Sequence, residues 1–181
     1  MSLKKIGTTE VYKARAFTIN KDELKTPEGK TVYYDVVVHV GSVSILPVDN
    51  QGYIYFIKQY RPSVDEWLLE LPAGTLEQGE SFEEACHREV REEVGMQAGK
   101  ITRLGEYYLA PGYCTELMAS FLATDLTENP LPPDDDEYLV VEKIHVSEAF
   151  QRAEKGEIRD GKSLAALLLA KSYLQAYPDS K

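Results

Sequence analysis

Apolar residues recur every four positions at Phe82, Cys86, Val90 and Val94, the stripe of a helix that lays one face on a core. Ser81 followed by Glu84 marks the start of that helix. At about 100° per residue, Glu89 and Glu93 fall on the same side as Phe82 and Cys86, with Glu92 on its flank. Elsewhere the pattern is that of strands. The stretch from Thr9 (TEVYKARAFTI) and residues 31–39 (TVYYDVVVH) flank the turn-like KTPEGK and predict an antiparallel pair, with Tyr12, Tyr33 and Tyr34 as cross-strand partners. SVSILPV turns at Asp49-Asn50-Gln51-Gly52 into YIYFIKQY, which reads as a hairpin. Trp67 to Ala73 is a short strand stopped by Pro72. Further strands are expected over Ile101–Ala110, LMASFLATDL and Tyr138–Val146, then helices over 147–155 and from Ser163 to Tyr173. Strands on both sides of one helix, with helices at the end, predict an α/β (α+β) domain in which a mixed sheet lies between helices in α/β/α layers.

Carboxylates on an inward-facing stripe cost several kcal/mol each once taken out of water, so Glu89 and Glu93 need compensation. Arg88 and Arg91 cannot satisfy three acids, and a hard divalent cation with oxygen ligands fits best. The competing reading is an exposed helix laced with Glu84–Arg88 and Arg88–Glu92 pairs. A net charge of −10 disfavours a binder of the nucleic-acid backbone, although bound metal can reverse the local sign for an anionic substrate. The apolar content of 43% suffices for a real core. Two cysteines are too few for a disulfide framework: Cys86 reads as a small buried hydrophobe and Cys114 as a loop residue. His39, His87 and His145 lack metal-ligand spacing. The N-terminal MSLKKIGTTE has no apolar signal core, and the longest apolar run, Leu164 to Ala170, is far short of a membrane span. A cytoplasmic protein without membrane or nucleic-acid partners is expected.

From Gly74 to Met96 the chain resembles the Nudix box, Gly-x5-Glu-x7-Arg-Glu-U-x-Glu-Glu-x-Gly-U with U a bulky apolar residue. The matching residues are Gly74, Glu80, Arg88, Glu89, Val90, Glu92, Glu93, Gly95 and Met96. Pro111, sixteen positions after Gly95 in an A-P-G-x-x-T-E loop, and the Q-Y-R-P stretch at Arg61 are similar to the ADP-ribose and nucleoside-diphosphate-sugar branch of that family. The resemblance covers about residues 41–175. It implies the Nudix fold and metal-dependent hydrolysis of the diphosphate in a nucleotide sugar, with Mg2+ or Mn2+ as the ion.

On that resemblance the metal is held by Glu89, Glu92, Glu93, Glu137 and the carbonyl of Ala73. Arg88 orients the box carboxylates, and Glu80 ties the loop to the helix. The acidic loop Asp134 to Glu137 supplies the base, for which Asp135 fits the register. Substrate contacts are expected from Arg61, Glu70, Pro111, Gly112 and Glu116. Arg61 has the alternative of a solvated side chain beside a turn, and Glu70 that of pointing to solvent. Trp67 suits core packing better than stacking on a base. Residues 1–40 form an N-terminal sheet, expected to build a homodimer, and 41–181 the hydrolase domain. Two rival functions are a Nudix hydrolase of nucleoside triphosphates or dinucleoside polyphosphates and a non-catalytic ADP-ribose-binding module. Retention of every box acid disfavours the module.

Overall fold

The computed structural model describes residues 2–132, 138–175 and 177. The chain divides into two compact units, Met1–Gly41 with Tyr107–Met118, and Ser42–Glu106 with Ala119–Lys181. The first unit carries an antiparallel meander of β1 (Lys4–Lys13), β2 (Phe17–Lys25) and β3 (Thr31–His39). The expected single strand from Thr9 is therefore two strand ends around a turn, closed by the Ala14 amide on the Phe17 carbonyl at 2.9 Å. No glycine or proline marks that turn, and β2 continues through the charged NKDELK. Asp22 of β2 is buried and satisfied by Lys5 and by Thr8 Oγ1, the latter at 2.7 Å. Loop 110–115 lies along β3: the Val37 amide donates to the Tyr113 carbonyl and the Thr115 amide to the Val37 carbonyl. Tyr12, Tyr33 and Tyr34 have cross-strand neighbours in Ile19, Glu23 and Asp22, yet all three are exposed, as are Val11, Val38 and Val40.

The second unit contains β4 (Ser42–Pro47), β5 (Tyr53–Arg61), β6 (Glu66–Glu70), β7 (Ala73–Thr75), α1 (Phe82–Val94), most of β8 (Met96–Tyr108) and β9 (Leu117–Glu128), β10 (Leu139–His145), α2 (Val146–Glu154) and α3 (Gly161–Leu174). Its strands form two sheets, ordered β7-β4-β9-β8 and β10-β5-β6. Side chains alternate between two cores. Val43, Ile45, Tyr55, Ile57, Ala119 and Phe121 pack with Ala85, Cys86, Val90 and Val94 of α1. Leu46, Ile54, Phe56 and Leu122 pack with Ala149 of α2 and with Ala166, Leu167, Ala170 and Leu174 of α3. The layers are thus helix, strands, helices, as the alternation predicts.

The expected β4–β5 hairpin does not form. Its turn is present, with the Gly52 amide on the Asp49 carbonyl at 3.1 Å and the Asp49 amide on the Tyr53 carbonyl at 3.0 Å, but among the described residues the pairing goes no further than the Val48–Ile54 bridge and the two strands enter different sheets. The Val48 amide donates instead to the Ala123 carbonyl of β9. Trp67 is also placed differently from expectation. It lies on β6, the edge of its sheet, and is 58% exposed against Tyr60. Strand β8 starts five residues earlier than the pattern suggests, directly after the α1 cap. Helix α2 is capped by His145, and α3 by Asp160, which accepts from the Ser163 amide.

Candidate active site

The Gly74–Met96 stretch folds as β7, a loop and α1. Ser81 accepts from the Glu84 amide while the Glu84 carboxylate accepts from the Ser81 amide, the expected capping box, so two of the four orphan donors are met. Gly95 closes the helix at φ 72°, where a side chain would be strained, and its N–H donates to the Val90 carbonyl. This register turns Glu89 and Glu93 inward, both below one-tenth exposed, and leaves Glu92 half-buried on the flank.

Both buried acids point at β7. A Cβ built on Gly74 would lie 1.6 Å from Glu89 Oε1, so only glycine leaves room for that carboxylate. Glu93 Oε2 accepts from the Ala73 amide at 2.8 Å. In the β4–β7 ladder Ile45 donates to Pro72, which makes the next pair, Ser44 and Ala73, the non-hydrogen-bonded kind. The Ala73 amide and carbonyl therefore both face away from β4.

Arg88 binds the acids together. Its Nε donates to Glu80 Oε1 at 2.9 Å and its Nη2 to Glu80 Oε2 at 2.9 Å, a bidentate pair. Its Nη1 reaches Glu89 Oε1 at 2.7 Å and Glu92 Oε2 at 2.9 Å. The guanidinium is held charged chiefly by the hydrogen bonds to Glu80, and Glu80 in turn is lowered from the ordinary carboxylate value, first by Arg88. The helix is thus neither an exposed ion-paired surface nor fully self-compensated. Three carboxylates, those of Glu80, Glu89 and Glu92, converge on one guanidinium, two more negative charges than Arg88 alone offsets when all are ionised.

Among the described residues no three acidic, histidine or cysteine side chains stand as a ready-made metal cluster, because the Arg88 Nη1 sits between Glu89 and Glu92. The donor set nevertheless fits a hard divalent ion: it is all oxygen, rich in carboxylate, partly buried, and under-compensated in charge. Glu89, Glu92, Glu93 and the Ala73 carbonyl are the groups that would hold it. Asp135 and Glu137, expected as base and ligand, lie outside the described residues.

A second ionic cluster stands at the β5–β6 end. Arg61 Nε donates to Glu70 Oε1 at 2.8 Å and its Nη2 to Glu70 Oε2 at 2.6 Å, and Lys162 of α3 also donates to Glu70. Glu70 is 1% exposed and does not point to solvent. Burial opposes its ionisation, but the hydrogen bonds from Arg61 and the charge of Lys162 outweigh that and lower its pKa. Arg61 is not a simple solvated side chain either: it is raised first by Glu70, with smaller contributions from the charges of Asp160 and Glu93. Neither Lys162 nor Asp160 was expected here: a lysine beside a helix start reads as solvated, and the one available signal was Asp160 as an N-cap residue type ahead of α3. Pro111, Gly112 and Glu116 belong to the first unit. There the amides of Tyr113 and Cys114 both return to the Ala110 carbonyl and close the Pro-Gly turn, and the space over Gly112 is open. Cys86 is fully buried, and burial pushes its thiol up to about 12.

Layered strands around a capped helix bearing Glu89, Arg88, Glu92 and Glu93 define a Nudix protein. The NUDIX domain model matches residues 38–167, and the chain belongs to that family. It is 32% identical over 177 residues to the ADP-ribose pyrophosphatase of Bacillus subtilis (strain 168), covering 96% of each chain. It is 29% identical over 174 residues to the methanol dehydrogenase activator of Bacillus methanolicus, covering 95% of this chain and 92% of that one. The crystal structure of an ADP compounds hydrolase superposes with a TM-score of 0.85 at 24% identity, over 97% of this chain and 96% of the other, and shows the same fold.

Proposed function

We propose that the chain hydrolyses the diphosphate bond of ADP-ribose and related nucleoside diphosphate sugars, releasing a nucleoside monophosphate and a sugar phosphate. The observation that carries this reading is the pair of buried carboxylates, Glu89 and Glu93, packed on the Ala73–Gly74 edge beside an intact box. Similarity to the Bacillus subtilis pyrophosphatase over nearly the whole chain supports the substrate class. Mg2+, when bound, neutralises charge on the diphosphate oxygens and lowers the pKa of the attacking water.

The residues of the chain divide the remaining work. Glu89, Glu92, Glu93, Glu137 and the Ala73 carbonyl hold the ion, and Arg88 keeps three carboxylates in register through its fork. Asp135 takes the proton of the water. Arg61 contributes positive charge to the diphosphate, while Glu70 acts by fixing Arg61. Pro111 and Gly112 present backbone amides to the ligand, and Glu116 contacts the substrate. The protein works as a cytoplasmic homodimer. A three-stranded sheet with Val11, Tyr12, Tyr33, Val38 and Val40 exposed needs a cover, and a second copy provides one. No helix among the described residues is long and apolar enough to cross a membrane.

The test is a panel assay with a coupled phosphatase and Mg2+, comparing ADP-ribose, ADP-glucose, GDP-mannose, ATP and a dinucleoside tetraphosphate. Turnover of at least one nucleotide sugar well above the others is expected. Turnover confined to the triphosphate or tetraphosphate would move the chain to another substrate branch, and binding of ADP-ribose without turnover would make it a sensing module.

A further inference from the structure

We propose that Lys162 is a positioning residue for the substrate phosphates: it holds the Glu70 carboxylate from behind, and through it the guanidinium of Arg61. The inference rests on the reading of Arg61 as a phosphate contact. The three charges form a chain that runs outward from the interior. Lys162 and Glu70 have side chains 8% and 1% exposed, while that of Arg61 is 37% exposed. Arg61 spends Nε and Nη2 on Glu70, which fixes the plane of the guanidinium and turns Nη1 away from the pair.

The lysine is itself held from two directions. Its Nζ donates to Glu70 Oε2 and, at 3.0 Å, to Asp160 Oδ2. Asp160 is the N-cap of α3, and Ser163 in the same turn donates its hydroxyl proton to Asp160 and accepts from the Leu71 amide at 2.7 Å. The first turn of α3 therefore grips Glu70 and Leu71 at adjacent positions. Two residues on, the Ala73 amide meets Glu93. A lysine, an aspartate and a glutamate buried together add little to stability, since well-packed apolar residues of the same volume often do as well or better. They do set the local potential. Arg61, Lys162, Glu70 and Asp160 sum to neutrality. Without Lys162 the two acids outweigh Arg61, and a diphosphate approaching Arg61 meets net negative charge.

The sign of a charge change separates this role from a structural one. Lys162→Met is expected to raise KM for ADP-ribose about tenfold with kcat within about threefold, because uniform binding is lost. Asp160→Asn keeps a competent helix cap but removes a negative charge, and is expected to lower KM. Both effects should vanish in an Arg61→Ala background, which itself raises KM. Thermal unfolding of each variant accompanies the kinetics. A KM for Lys162→Met within threefold of wild type overturns the inference, as does a rise of equal size without Arg61, or an unchanged or raised KM in Asp160→Asn. If Lys162→Met does not fold, Asp160→Asn decides alone: a lowered KM supports the inference and an unchanged or raised one overturns it. An Arg61→Ala variant with wild-type KM would instead remove the phosphate reading of Arg61 on which all of this stands.

Discussion

Gly74 and Glu89 share one small volume, and the site depends on the glycine having no side chain. Gly74→Ala places a methyl 1.6 Å from Glu89 Oε1, so the carboxylate must swing away. Overpacking of this kind costs about 1–3 kcal/mol. The larger effect is expected on the ion: the Mg2+ concentration for half-maximal activity should rise about tenfold or more. Unchanged Mg2+ dependence would remove Glu89 from the groups that hold it. Glu80 gives a pH signature. Its folded pKa is lowered from 4.5, first by the Arg88 hydrogen bonds, so its stabilising contribution is present above that value and is lost as pH falls through the lower folded one. Glu80→Gln should therefore have a lower urea midpoint than wild type at pH 7, with the gap closing as the pH drops below 4.5. At this scale the box acids were legible, because helical spacing alone puts Glu89 and Glu93 on the buried side. Lys162 was not, since its partner Glu70 lies 92 positions away and no local pattern announces the pair.

Element by element, the helices were read best where a cap states the boundary. Ser81 and Glu84 mark α1, and Ser81→Ala is expected to cost about 1 kcal/mol, measured as a shift in the urea midpoint with little change in kcat. A fall in kcat much beyond the fall in stability would mean that the capping loop also positions Glu80. The strands were read less well, because pairing is decided by distant competitors. The Asp49–Gly52 turn has the chemistry of a hairpin, yet Val48 donates to Ala123 of β9, so β4 joins the other sheet. Trp67 reads as core by residue type, but β6 has a neighbour on one side only, which leaves the ring against Tyr60 at the sheet edge. Helix α3 was expected to begin at Ser163. The true start at Gly161 behind Asp160 is what brings Lys162 beside Glu70.

For the whole molecule, the layered domain and an N-terminal sheet were visible in the alternation, whereas the membership of residues 107–118 in the first unit was not. Deleting residues 1–40 is expected to abolish the proposed dimer and also to raise KM, because loop 110–115 loses Val37 and His39 as hydrogen-bond partners. Light scattering and steady-state kinetics on the truncated chain check both. A truncated protein that stays dimeric with unchanged KM would mean that neither the interface nor the loop depends on the sheet. The link between Val37 and residues 113–115 bears also on how the chain is made. The pairing within the β1–β3 meander is local, but at about 5–20 residues per second the segment that closes it follows several seconds later. Through that interval the outer edge of β3, in a nascent sheet rich in tyrosine and valine, stands open. Co-translational mispairing between neighbouring nascent chains on one messenger, and chaperone capture that prevents it, should therefore concentrate in this window and fade once Thr115 has emerged.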